Sequence, residues 1–153
     1  LKEEFEKNKI NSGRIIFSAS MPVKEHLVRI NFADLFLDTF PYNAHTTCND
    51  SIWAGVPVLT KMGKSFHSRV ASSLLKTSGL EELITHSDEE YVSKAVKIAN
   101  DEKYLIQLKN KLNSFRDINP LFDSKLYTRN LEQAYEIVFQ NHFHKKKPDD
   151  IYL

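Results

Sequence analysis

Short apolar runs set between helix-patterned segments limit the fold of this chain more than any other feature. Residues 14–18 (Arg-Ile-Ile-Phe-Ser), 33–39 (Ala-Asp-Leu-Phe-Leu-Asp-Thr), 56–60 (Val-Pro-Val-Leu-Thr) and the brief 83–84 (Leu-Ile) read as strands. The segments between them carry apolar residues three and four apart, the pattern of a helix with one buried stripe. Strands that alternate with helices form a parallel sheet covered on both faces. The expected fold class is therefore α/β, half of a doubly wound sheet.

Only 4 glycines and 5 prolines punctuate the 153 residues, so their places carry information. The charged opening to Lys9 is helix-like, and Asn11-Ser12-Gly13 ends it with turn chemistry. Pro22 opens a short helix over residues 23–30, which puts His26 and Arg29 three apart on one face. Gly55 closes a helix over 49–54. Gly79 follows one over 65–77, where Phe66, Val70, Leu74 and Leu75 keep helical spacing. Pro57 lacks a ladder donor and fits only the first residues of its strand. The last third reads as helix. Ser87 and Glu90 match a capping box, Leu105, Leu108 and Leu112 line a stripe over 102–115, and Pro120 interrupts it. Asp123 or Ser124 then caps a final long helix. Residues 1–143 are the expected folded lobe and 144–153 a polar tail.

Composition excludes several classes. The 21 Lys and Arg against 20 Asp and Glu leave a formal charge of +1, which makes no electrostatic case for nucleic acid or an anionic membrane. The single cysteine, Cys48, excludes an internal disulfide framework and a multi-cysteine zinc site. No apolar run reaches the roughly 18 residues of a membrane span, and the charged first residues are not a signal peptide. A cytoplasmic location is expected. The chain starts at Leu1 rather than Met, and on a helix where such folds start on a strand, so it is expected to be a piece of a larger protein.

Residues 43–50, Asn-Ala-His-Thr-Thr-Cys-Asn-Asp, join a strand to a helix, where ligands of open α/β sheets sit. A helix start offers unpaired N–H groups and a positive dipole end, which suit a phosphate. Thr46 and Thr47 add hydroxyls, His45 can donate to a diphosphate oxygen, and Asp50, about one turn in, can accept from ribose hydroxyls. A second cluster, Lys24, His26 and Arg29, follows the first strand; an imidazole can stack on a flat base, and a guanidinium can reach base carbonyls or phosphate. Ordinary readings compete. Thr47 or Asn49 would cap the helix with His45 a plain loop residue, and the second cluster would be an exposed helix face. On spacing alone these are the stronger readings, because the loop is neither a Walker A nor a G-x-G-x-x-G turn. Position distinguishes the two clusters: both follow adjacent strand ends, within reach of one ligand.

Other candidates carry less. Cys48 is expected to be a packed small residue, not a nucleophile. His67, His86, His142 and His144 lack ligand spacing, so no metal site is expected. Asp34 and Asp38 lack an acid–base partner. Trp53, Tyr91 and Phe66 are expected in the core, and Lys145 to Lys147 in the solvated tail.

Residues 33–60, with His45-Thr46-Thr47, Asp50 and then Trp53-x-Gly55-x-Pro57 in order, closely resemble the C-terminal catalytic half of O-GlcNAc transferases. So do Ser-Phe-His-Ser-Arg-Val-Ala-Ser-Ser-Leu-Leu at 65–75, Gly-Leu-Glu-Glu-Leu-Ile at 79–84 and Asn-Pro-Leu-Phe-Asp at 119–123, which extends the resemblance over nearly the whole chain. It implies the Rossmann-like C-terminal lobe of a GT-B glycosyltransferase, helical at its own C-terminus, that binds a UDP-sugar donor, UDP-GlcNAc. By that resemblance His26 contacts uracil, Arg29 lies at the nucleotide, and the backbone near Met21 reads the base edge. His45, Thr46 and Thr47 hold the diphosphate and Asp50 the ribose. Where the family has a lysine after an alanine-proline pair, this chain has Val23, and Lys24 beside it is the candidate substitute.

The implied reaction is inverting transfer of the sugar to a protein Ser or Thr hydroxyl, without metal or cofactor and without nucleic-acid or membrane partners. Catalytic groups are expected partly before Leu1, together with the acceptor lobe and a tetratricopeptide superhelix, so the chain alone is expected to be inactive. Three alternatives stay open: a UDP-glucose donor; a GDP-fucose donor as in the SPINDLY group, where glycine replaces His45; or a non-catalytic nucleotide-sugar-binding or protein-interaction module.

Overall fold

The run after Pro57 forms the middle of the sheet. Strand β2 spans Val58–Lys61, and Val58, Leu59 and Thr60 are all buried, so helices cover both of its faces. The computed structural model, which describes residues 1–153, places β1 (Phe36–Leu37) and β3 (Ile84–Thr85) on either side, both parallel to β2. Phe36 lies opposite Val58, and Thr60 opposite Ile84. Pro57 precedes the strand and contributes only its carbonyl, which accepts from Phe36 N–H at 2.9 Å.

Helices α1 (Lys2–Lys7) and α2 (Val23–Ile30) precede β1, α3 (Thr46–Trp53) joins β1 to β2, and α4 (Val70–Thr77) joins β2 to β3. Then come α5 (Asp88–Asn100), α6 (Glu102–Phe115) and α7 (Ser124–Phe143). One core joins these layers: Cys48 and Ile52 of α3, Val58 of β2, Ala71 and Leu75 of α4, Leu80 and Leu83 before β3, Ile98 of α5, and Leu108 and Leu112 of α6. Each fully buried leucine contributes about 2 kcal/mol against exposure. Gly55 closes α3 at φ +80°, and a Cβ there would stand 2.8 Å from Asn113 Oδ1. No helix is long and apolar enough to cross a membrane.

The expected strand at 14–18 does not form. A 3₁₀ turn spans Ser12–Arg14, and the chain then runs extended, with Ile16 88% and Phe17 69% exposed. Ile15 has strand-like dihedrals (φ −91°, ψ 117°), so the backbone is ready but has no neighbouring strand to pair with. The 65–77 helix is two pieces, a 3₁₀ turn over Phe66–Ser68 and then α4. Phe66 and Trp53 also depart from expectation, 80% and 43% exposed, whereas Tyr91 is partly buried. Ser87 accepts from Glu90 N–H at 3.1 Å, but the Glu90 carboxylate reaches His86 N–H instead of closing the capping box. Asp123 caps α7, whose 20 residues include none that is buried, and the final ten residues have no helix or strand.

Candidate site at the carboxyl edge of the sheet

The loop between β1 and α3 is anchored from beneath. Asp38 follows β1 and is buried, and both its carboxylate oxygens are occupied. Ala44 N–H donates to Oδ1 at 2.7 Å, and the Thr60 hydroxyl donates to Oδ2 at 2.6 Å. Thr60 Oγ1 accepts in turn from the Asn43 side-chain amide at 2.8 Å, and that amide also donates to Lys61 O at 2.9 Å. The Tyr91 hydroxyl donates to the Asp38 carbonyl at 2.8 Å. A buried carboxylate is tolerable only with such charge-assisted partners, so the loop and β2 hold one another in register. The loop itself turns through a cis Phe40–Pro41 bond.

Helix α3 therefore starts from a fixed point. It begins at Thr46, with His45 in the N-cap position, and no side chain caps it. The capping reading for Thr47 or Asn49 is thus corrected, and the first-turn amides keep no side-chain acceptor. The Thr46 and Thr47 side chains are exposed. His45 stacks on Tyr42, with centroids 5.3 Å apart; Tyr42 stacks on His67 at 5.1 Å, and Phe66 meets His45 edge-on at 5.9 Å. The His67 carbonyl accepts from Asn43 N–H and from His45 Nε2, each at 3.2 Å. Asp38, Thr39, Tyr42, His45, Thr46 and Thr47 help line an open cavity of about 490 Å³.

The second cluster lies on α2, which packs on α3. Arg29 donates to His26 Nδ1 at 2.8 Å, to Ala19 O at 3.0 Å, and to the Ser18 hydroxyl, so it ties the segment before α2 to the helix. Met21, Lys24 and Arg29 line a separate hollow of about 400 Å³. The structure thus brings His45, Thr46 and Thr47 into one cavity and Met21, Lys24 and Arg29 into another. His26 and Asp50 line neither of these two. Asp50 is partly buried on the first turns of α3, and its carboxylate makes no ion pair.

Cys48 is wholly buried behind this loop, and burial, then the Asp38 charge, pushes its thiol up to about 12. Burial, then Asp38, also raises the Tyr91 phenol. No group of three or more His, Cys, Asp or Glu side chains is placed to hold a metal ion. Reading the sequence missed the anchoring network of Asp38, Asn43 and Thr60 and the Tyr42–His67 stack. Partners 17 and 22 residues apart converge only once the sheet exists.

The fold is a Rossmann-like parallel α/β lobe with a cavity at the carboxyl edge of its sheet. Residues 1–131 match the model of Glycosyl transferase family 41, and the chain belongs to that family. It is 39% identical over 119 residues to a probable UDP-N-acetylglucosamine–peptide N-acetylglucosaminyltransferase SPINDLY of Solanum lycopersicum, covering 77% of this chain and 13% of that protein. It is 38% identical over 123 residues to the UDP-N-acetylglucosamine–peptide N-acetylglucosaminyltransferase of Caenorhabditis elegans, covering 80% and 11%. A solved mutant O-GlcNAc transferase of Thermobaculum terrenum superposes with a TM-score of 0.82 at 33% identity, over 88% of this chain and 26% of that one. The chain therefore spans a small part of each relative.

Proposed function

We propose that this chain forms the donor-binding part of a protein O-GlcNAc transferase, holding UDP-N-acetylglucosamine while the sugar passes with inversion to a Ser or Thr hydroxyl of a protein. One observation carries the reading: an uncapped helix start, the Thr46 and Thr47 hydroxyls and the His45 imidazole border a single open cavity. The names of the relatives supply the donor and the acceptor class. In this reading the diphosphate lies on the first turn of α3. Charge that gathers on UDP as the sugar departs meets amides already oriented toward it, which lowers the barrier electrostatically.

The nucleoside extends toward α2, with His26 at the base, Arg29 and Lys24 nearby, and the Met21 backbone at the base edge. Asp50 accepts from the ribose. The chain's own donors carry the diphosphate charge, and no metal or cofactor is assigned to it. Acceptor binding and the remaining catalytic groups belong to other parts of the protein, so the chain by itself transfers no sugar. His45→Ala tests the central contact. Loss of a hydrogen bond to a charged oxygen, about 1.5–3 kcal/mol, weakens UDP binding at least tenfold in a calorimetric titration. An unchanged affinity would reduce His45 to a packing residue of the loop.

A further inference from the structure

His45 is held in a way that dictates which of its nitrogens carries hydrogen. Nε2 lies 3.2 Å from the His67 carbonyl, which can only accept, so Nε2 is the protonated nitrogen. That carbonyl also takes the Asn43 N–H, and stacking on Tyr42, itself stacked on His67, holds the ring. Nδ1 has no partner in the protein, because His45 makes no capping bond to α3. A neutral His45 therefore presents a lone pair at Nδ1, and a lone pair repels a phosphate oxygen.

We infer that His45 meets the diphosphate as an imidazolium, taking up one proton at Nδ1 when the donor binds. The inference rests on the donor-binding reading above. The proton comes from solvent and no other bond changes: Nε2–H stays on the His67 carbonyl and Nδ1–H turns to the phosphate oxygen. Tyr42 and His67 are then positioning residues, acting through the His45 ring. The surrounding titratable groups leave the role to His45. The Tyr42 phenol is not a base, His67 Nε2 is engaged with the Ser65 hydroxyl at 3.1 Å, Asp38 is occupied by Ala44 and Thr60, and Asp50 lies a turn further along α3. His26, on α2, accepts from Arg29 through Nδ1, so its Nε2 already carries the hydrogen and no free lone pair is left to take up a proton.

The test is calorimetric titration of the full-length protein with UDP-N-acetylglucosamine, whose diphosphate has no ionisation near neutrality. It is run at about pH 8, where an ordinary imidazole is neutral, in buffers of different ionisation enthalpy. The inference expects uptake approaching one proton per donor bound, and an affinity that falls with rising pH by up to about tenfold per unit. H45Q should bind more weakly, without that uptake and with a flat pH profile. Binding without proton uptake, or uptake that persists in H45Q, overturns the inference and leaves the donor reading standing. Absence of any binding overturns both. Imidazole nitrogen shifts of the unmutated protein give an independent reading: one protonated nitrogen on His45 when free and two when bound. One in both states contradicts the inference.

Discussion

At Asp38 a buried carboxylate takes one hydrogen bond from its own loop and one from the central strand. Asp38→Asn keeps the shape but puts an amide where an acceptor is needed, leaving a buried donor unpaired. It should cost about 2–4 kcal/mol, read as a lower urea midpoint, and weaken nucleotide binding through the loop it releases. A midpoint equal to that of the unmutated protein would show that the network is dispensable. Cys48 makes the opposite kind of prediction. Its thiol is pushed up to about 12 by burial, so the folded state binds that proton more tightly than the unfolded chain. The resulting stability is complete below about pH 9 and declines as pH rises toward about 12. A thiol reagent should therefore label Cys48 only at the rate of unfolding; rapid labelling of the native protein would contradict its burial. The sequence revealed Cys48 as packed because a small residue beside a helix start has few other uses. It concealed Asp38, whose partners lie on another strand.

Among the elements, α2 and the helices after residue 87 were the most legible, because their apolar spacing and caps are local. The start of α3 was legible as chemistry but not in register: the helix begins three residues earlier than the 49–54 expected, since His45 and Thr46 enter it without a capping side chain. Residues 14–18 show the opposite failure. A buried-strand pattern states what a segment needs, not that a neighbour is present to supply it, and Ile16 and Phe17 remain exposed. The turn after β2 has its own weak point. Gly63 N–H donates to Ser68 O at 3.0 Å, and a Cβ on Gly63 would come within 2.7 Å of Ser68 Cβ and 2.9 Å of the Phe40 ring. Gly63→Ala should cost about 1–3 kcal/mol from overpacking. By shifting the 66–68 turn it should also withdraw the His67 carbonyl from His45 and lower donor affinity. Retention of both stability and affinity would mean that the turn does not position His45.

For the whole molecule, the α/β class followed from strands alternating with helices, and the three-stranded parallel sheet follows that order. The family was legible in residues 33–60, whose ordered run of His45-Thr46-Thr47, Asp50 and Trp53-x-Gly55-x-Pro57 is more specific than any fold pattern. His45, Thr46 and Thr47 line one hollow and Met21, Lys24 and Arg29 another, on the neighbouring elements α3 and α2; in the proposed function the first takes the diphosphate and the second the nucleoside. What spacing could not show is how each side chain is committed: Arg29 to the Ser18 hydroxyl and the Ala19 carbonyl, and His45 to a carbonyl 22 residues away. The identity of the nucleotide decides whether this lobe binds a UDP-sugar donor. The most direct measurement is calorimetric titration of the full-length protein with UDP, GDP and their sugars under one set of conditions. UDP and UDP-N-acetylglucosamine should bind at least tenfold more tightly than GDP and its sugars, a difference of about 1.4 kcal/mol. A preference for GDP, or no binding of any of them, would contradict the donor-binding reading.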